Sequence, residues 1–135
     1  METEIVTPFH PQIARTPLWA GRVLTGLIAT FLLFDAFGKL VPFDVVVDAT
    51  QKAGFDVAVV RPLGVLLALS TLLHLVPRTQ VLGALLVTAY LGGATATHVR
   101  IGTPFWFPVV MGALFWVAYY LRSVSLRSFV HSTTH

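Results

Sequence analysis

Four apolar stretches of membrane-spanning length dominate this chain, at about residues 17–38, 57–76, 80–99 and 104–121, with their charges gathered near their ends. A helix needs about 20 such residues to cross a hydrocarbon core about 30 Å thick, and only helices and closed barrels satisfy their backbone groups there. The pattern predicts an all-α integral membrane protein built as a four-helix bundle. Composition agrees: 56% of the 135 residues are hydrophobic, only 11% are charged, and mean hydropathy is +0.79. Soluble domains carry about a quarter charged residues. With so few charges, a soluble chain this small could not cover its apolar surface.

Each stretch carries start and stop signals. Thr16-Pro17 reads as an N-cap followed by proline at the first helical position, and Gly38 as the stop. The second stretch is best started after Asp56 as N-cap, with Pro62 as a kink, because starting at Pro62 leaves too short a span. Thr79 reads as the cap of the third and Thr103-Pro104 as the opening of the fourth. Trp19, Trp106, Trp116, Tyr119 and Tyr120 fall near predicted ends, as interfacial aromatics do.

The connections differ in length. Pro77-Arg78 and Gly102 mark tight turns, so the last three helices are antiparallel neighbours. Between Lys39 and Phe55 there is room for a short interfacial helix, capped by Asp44, with Val45, Ala49 and Lys52/Ala53 at helical spacing and Gly54 as its stop. Residues 1–16 and 123–135 read as polar, frayed ends. The first apolar run is too long for a signal-peptide core, so no cleavable leader is expected.

Four spans put both termini on one side. That side holds Arg15, Arg22, Arg78, Arg122 and Arg127; the other holds Lys39, Lys52, Arg61 and Arg100. If Arg61 and Arg100 face the bundle interior they leave the count, and the positive-inside rule then favours cytoplasmic termini.

The first and third spans run in the same direction, so Asp35, His98 and Arg100 share a depth, with Arg61 and Trp106 in the same outer layer. Ionisable groups at such depth are costly and usually face an interior, where they pair. Asp35 also lies at the negative end of its own helix dipole, so a cation should compensate it. The small residues Gly92, Gly93, Ala94 and Ala96 should let a neighbouring backbone approach and bring Asp35 to His98 or Arg100. The local alternative is Lys39, four residues after Asp35; His98 and Arg100 would then snorkel to the interface. His74 reads as an interfacial or core histidine, Arg22 as snorkelling, and Tyr90 as a core residue.

Several chemistries drop out. With no cysteine there is no disulfide, iron–sulfur cluster or thiol redox chemistry. No metal or haem site is expected, since His74 and His98 lie near opposite faces. Gly-rich phosphate motifs are missing, and the net charge of +3 sits at span ends, so nucleic acid is not an expected partner.

The segments "FDAFGKL", "LHLVPRTQVLGALLVTAYLGGATATHVRIG" and "LRSVSLRSF" resemble the DoxX-like family over roughly Pro17 to Arg127. The resemblance implies a small bacterial inner-membrane protein, in a family whose founding association is with a quinone-reducing thiosulfate oxidoreductase. Two function classes follow. The first is a redox-linked membrane subunit or small enzyme with an outer-half site for a quinone-like or other apolar ligand. There Asp35 and His98 would move a proton, Arg61 and Arg100 would hold an oxygen, and Trp106, Phe105 and Phe34 would supply walls. The second is a structural or assembly partner, bound to another membrane protein or to its own copies within the lipid bilayer. A channel is not expected from spans filled with Leu, Val and Phe.

Overall fold

The computed structural model describes residues 15–133. The polar segment before them lies outside the described residues. Six α-helices follow: α1 (Arg15–Leu40), α2 (Asp44–Lys52), α3 (Val60–Leu75), α4 (Gln80–Arg100), α5 (Trp106–Arg122) and α6 (Val124–Ser132). There is no strand among the described residues.

Helices α1, α3, α4 and α5 pack in a closed ring in which α1 touches α3 and α5, and α4 touches the same two. α1 and α4 are therefore diagonal. The α4–α5 side is the least extensive of the four. The core is a seam of residues at helical spacing: Ile28, Leu32 and Ala36 from α1, Leu67 from α3, Ala84, Val87 and Leu91 from α4, Phe115, Ala118 and Tyr119 from α5. The intervals of three and four place each set on one helix face.

Among the described residues, three helices are long and apolar enough to cross a membrane: Pro17–Leu40, Val57–Leu75 and Gln80–Arg100. The expected fourth span is α5, 17 residues long, and it qualifies by length only together with α6, from which it is bent by 94°.

Local signals fared unevenly. Asp56 does cap, its Oδ1 accepting from the Ala58 N–H at 2.8 Å. It starts a 3-10 turn, Val57–Val59, which passes into α3 at Val60. Pro62 consequently falls in the first turn of α3, where its missing N–H leaves no intrahelical bond unmade, and no mid-helix kink is needed. Gly38 does not stop α1; it is enclosed by Val46 and Phe43, and the helix runs on to Leu40. α2 forms as expected, but its N-cap is Phe43, with Asp44 inside the first turn. Gly54, at φ +82°, supplies the left-handed residue after it. Thr79 makes no capping bond and instead donates to the Leu73 carbonyl at 2.8 Å. The tail expected to fray forms α6, whose N-cap Ser123 accepts from the Leu126 N–H at 3.2 Å.

Close helix contact is not where the sequence suggests. A side chain added at Gly92 or Gly93 would meet nothing within 4 Å. The tight glycines are Gly21, Gly64 and Gly83. A Cβ on Gly21 would lie 2.7 Å from the Arg122 backbone nitrogen, and one on Gly64 would lie 2.8 Å from Lys39 Cβ. At Gly83 it would strike the backbone nitrogen of His74. A side chain's distance from a neighbouring helix depends on which face it occupies, and a run of small residues does not encode that.

Candidate functional site

The residues expected to share one layer do not converge. Asp35 is half-buried and forms an ion pair with Lys39, one turn on. His98 Nδ1 is 2.8 Å from the Ala94 carbonyl of its own helix. Arg100 crosses to the α2–α3 connection, donating to the Ala53 carbonyl at 2.8 Å with its guanidinium 5.4 Å from the Phe55 ring centroid. The expected meeting of Asp35 with His98 or Arg100 is not made, because α1 and α4 sit on the diagonal and the local lysine is nearer. Arg61 and Arg100 are both exposed, so neither leaves the charge count, which stays at five to four. Phe34, Phe105 and Trp106 are 71%, 52% and 63% exposed and turn outward. They do not wall an interior cavity.

A second polar cluster lies at the opposite end, where the described chain begins and ends. His74, 2% exposed, stands at the centre. Its Nδ1 is 3.0 Å from the Gln80 carbonyl, and its Nε2 is 3.1 Å from an Arg122 guanidinium nitrogen. A carbonyl only accepts and a guanidinium only donates, so Nδ1 carries the hydrogen and Nε2 the lone pair. These bonds define a neutral imidazole. Phe115 and Tyr119 pack on the ring at 4.5 and 5.1 Å between centroids. Tyr119 is buried, and Trp116 donates its indole N–H to Thr88 Oγ1 at 3.0 Å.

Beside His74 is a cavity of about 10 Å³ lined by Thr25, Thr71, Ile28 and Ala29 among others. That is the lower limit for one water molecule. Hydroxyls elsewhere in the ring bond back to the carbonyl four residues earlier, as Thr71 does to Leu67 and Thr88 to Ala84. Thr25 Oγ1 is buried there without a partner.

The sequence could have revealed this cluster. His74 closes α3 and Arg122 closes α5, which run in opposite senses to α1 and α4, so depth matching pairs them just as it paired Asp35 with His98. Thr25 has no such signal, since its isolation depends on rotamer and packing. Among the described residues no group of three or more His, Asp or Glu side chains could hold a metal ion.

Apolar helices of spanning length, closed on a small histidine–arginine cluster, define a helical membrane protein. The sequence profile of the DoxX-like family matches residues 23–118, and the chain belongs to that family. Neither a curated protein nor a solved structure gives a match.

Proposed function

We propose that this DoxX-like chain is an accessory subunit of a membrane-bound redox system. In this reading it spans a bacterial inner membrane four times, with both termini cytoplasmic and α2 lying on the outer surface. Its work is to dock and orient a partner, and electron transfer takes place on that partner. One observation carries the reading: the outer half of α4 presents Gly92, Gly93 and Ala96 outward, with open space over both glycines. In lipid, helices associate through van der Waals contact, and small residues let backbones come close. Asp35, His98 and Arg100 meanwhile each hold a contact within the chain, as groups that fix the outer end of a scaffold would. The family's association with a quinone-reducing oxidoreductase supplies the redox character of the partner.

The test is purification of the tagged full chain from its native membrane in mild detergent. A stoichiometric subunit bearing a haem or flavin absorbance is expected. Gly93→Leu should release that subunit while the chain's own melting temperature is unchanged. A chain that arrives without any redox protein, or retains it in Gly93→Leu, overturns the reading.

A second reading is favoured by Asp35 and His98, two partly buried titratable groups in the outer half of the bundle. There a quinone-like ligand would exchange a proton with Asp35 and His98, with Arg61, Arg100 and Trp106 at its margin. Mass spectrometry of a solvent extract decides it. A quinone that is present at stoichiometry and lost in Asp35→Asn supports a ligand site; no quinone in the extract removes it.

A further inference from the structure

The end of the molecule that holds His74 has a charge problem that its own described residues do not solve. Asp35, Asp44, Asp48 and Asp56, the acids among the described residues, all lie at the other end. Here Arg22 and Arg122 stand where α1 and α5 come into backbone contact. The two are brought together by Gly21, whose missing side chain allows α1 to rest on the backbone at Arg122. Arg122 spends a guanidinium nitrogen on neutral His74, leaving its Nε buried without a partner. Arg127, on α6, has both Nε and one terminal nitrogen buried without partners. Buried guanidinium donors without acceptors are costly, and an anion would satisfy them with charge-assisted bonds.

A groove on the flank of the same cluster indicates which anion. An open apolar channel of about 480 Å³ runs between α1 and α5, lined by Trp19, Ala20, Val23, Leu24, Leu27 and Leu121. Val23 and Leu121 are the sequence neighbours of Arg22 and Arg122, so the groove lies at the same end of the bundle as these arginines. α6 leaves α5 at 94°, and its Leu126 packs against the core at this end, with Arg127 the next residue. Its exposed Val124, Phe129 and Val130 suit the boundary between headgroups and acyl chains. A free phosphate would fill the basic cluster and leave the groove empty, whereas a neutral lipid would fill the groove and leave the guanidinium groups unpaired.

We propose that this end of the bundle is a site for one anionic phospholipid, its phosphate held by Arg22, Arg122 and Arg127 and an acyl chain lying in the α1–α5 groove. Basic clusters between membrane helices at this depth have the chemistry to recognise such headgroups. The site stands apart from the α4 face and from the outer layer, so it does not depend on the accessory-subunit reading.

The experiment uses the purified full chain in detergent, titrated with phosphatidylglycerol or with phosphatidylcholine of identical acyl chains, and read by native mass spectrometry and thermal melting. Phosphatidylglycerol should form a one-to-one adduct and raise the melting temperature; phosphatidylcholine should do neither. Arg22→Gln and Arg127→Gln should each weaken the adduct about fivefold without lowering the lipid-free melting temperature. Val23→Trp, which fills the groove and removes no charge, should weaken it as well. Equal response to the two lipids overturns the proposal, as does an adduct indifferent to both arginine changes. Stabilisation by glycerol phosphate as strong as by the lipid, or full binding in Val23→Trp, would show a simple anion site and overturn the acyl-chain groove.

Discussion

His74 and Arg122, 48 positions apart in sequence, hold each other at 3.1 Å between imidazole Nε2 and guanidinium. The bond ties the end of α3 to the end of α5, two helices on opposite corners of the ring. Arg122→Met leaves Nε2 buried without a donor and should destabilise by about 1–3 kcal/mol. His74→Phe removes the acceptor of the bond and also the ring N–H that the Gln80 carbonyl accepts. The double variant should cost less than the sum of the singles, since groups in one network are not additive. Thermal melting of the set in one detergent measures this; simple additivity would dissolve the pair.

Gly83 and Gly93 should respond to alanine with opposite signs. At Gly83 the new methyl meets the backbone of His74, which cannot move aside as a flexible side chain would, and a loss of about 1–3 kcal/mol or more is expected. Gly93 has open space, so only the backbone term remains, and alanine should stabilise by up to about 1 kcal/mol. Both are read as melting temperatures of the isolated protein. A tolerant Gly83 would mean that α3 and α4 are further apart than described.

The Asp35 pair gives a cycle with a defined answer. Asp35→Asn should cost under about 1 kcal/mol, as partly exposed pairs do, and should couple to Lys39→Met. It should add independently to Arg100→Gln, because Arg100 is engaged with the Ala53 carbonyl. Coupling of Asp35 to Arg100 would instead restore the shared outer site. Hydrogen exchange at residues 53–56 should rise in Arg100→Gln and stay unchanged in Asp35→Asn.

Thr25→Val removes a buried hydroxyl that has no partner and replaces it with an isosteric methyl. A neutral effect or a gain of up to about 1 kcal/mol is expected. A loss above that size would show that the adjacent cavity holds a water which the hydroxyl binds.

Topology is accessible because the chain has no native cysteine. Single cysteines at exposed Ala49 and Ser128 should label from opposite sides of an intact inner membrane, Ala49 from outside and Ser128 only after permeabilisation. The reverse pattern inverts the proposed orientation.

The helices were legible because hydropathy over about 20 residues is a long, redundant signal. The short α2 was legible too, since Val45 and Ala49 recur at helical spacing before Gly54. Which helices lie diagonal was not legible: both diagonal and adjacent arrangements put Asp35 and His98 at one depth. Depth alone therefore suggested a cluster that the ring order of α1 and α4 keeps apart. The glycines failed for a related reason. Gly92-Gly93 announces close packing by composition, yet Gly83, isolated among larger residues, is the one pressed against a neighbouring backbone. α6 was missed because its polar serines and arginine hide an amphipathic turn that begins only after the 94° bend.

That bend leaves α5 with 17 residues, about 25 Å of helix at 1.5 Å per residue, against a hydrocarbon core of about 30 Å. Its neighbour α1 has 26 residues, about 39 Å. In the proposed four-span arrangement no single bilayer thickness suits both. The lipid shell beside α5 must thin by a few ångströms while α1 leans to submerge its surplus, each at a fraction of a kcal/mol per ångström. The protein thus carries a thickness preference of its own, and in a membrane of mixed composition it should partition toward the thinner domains.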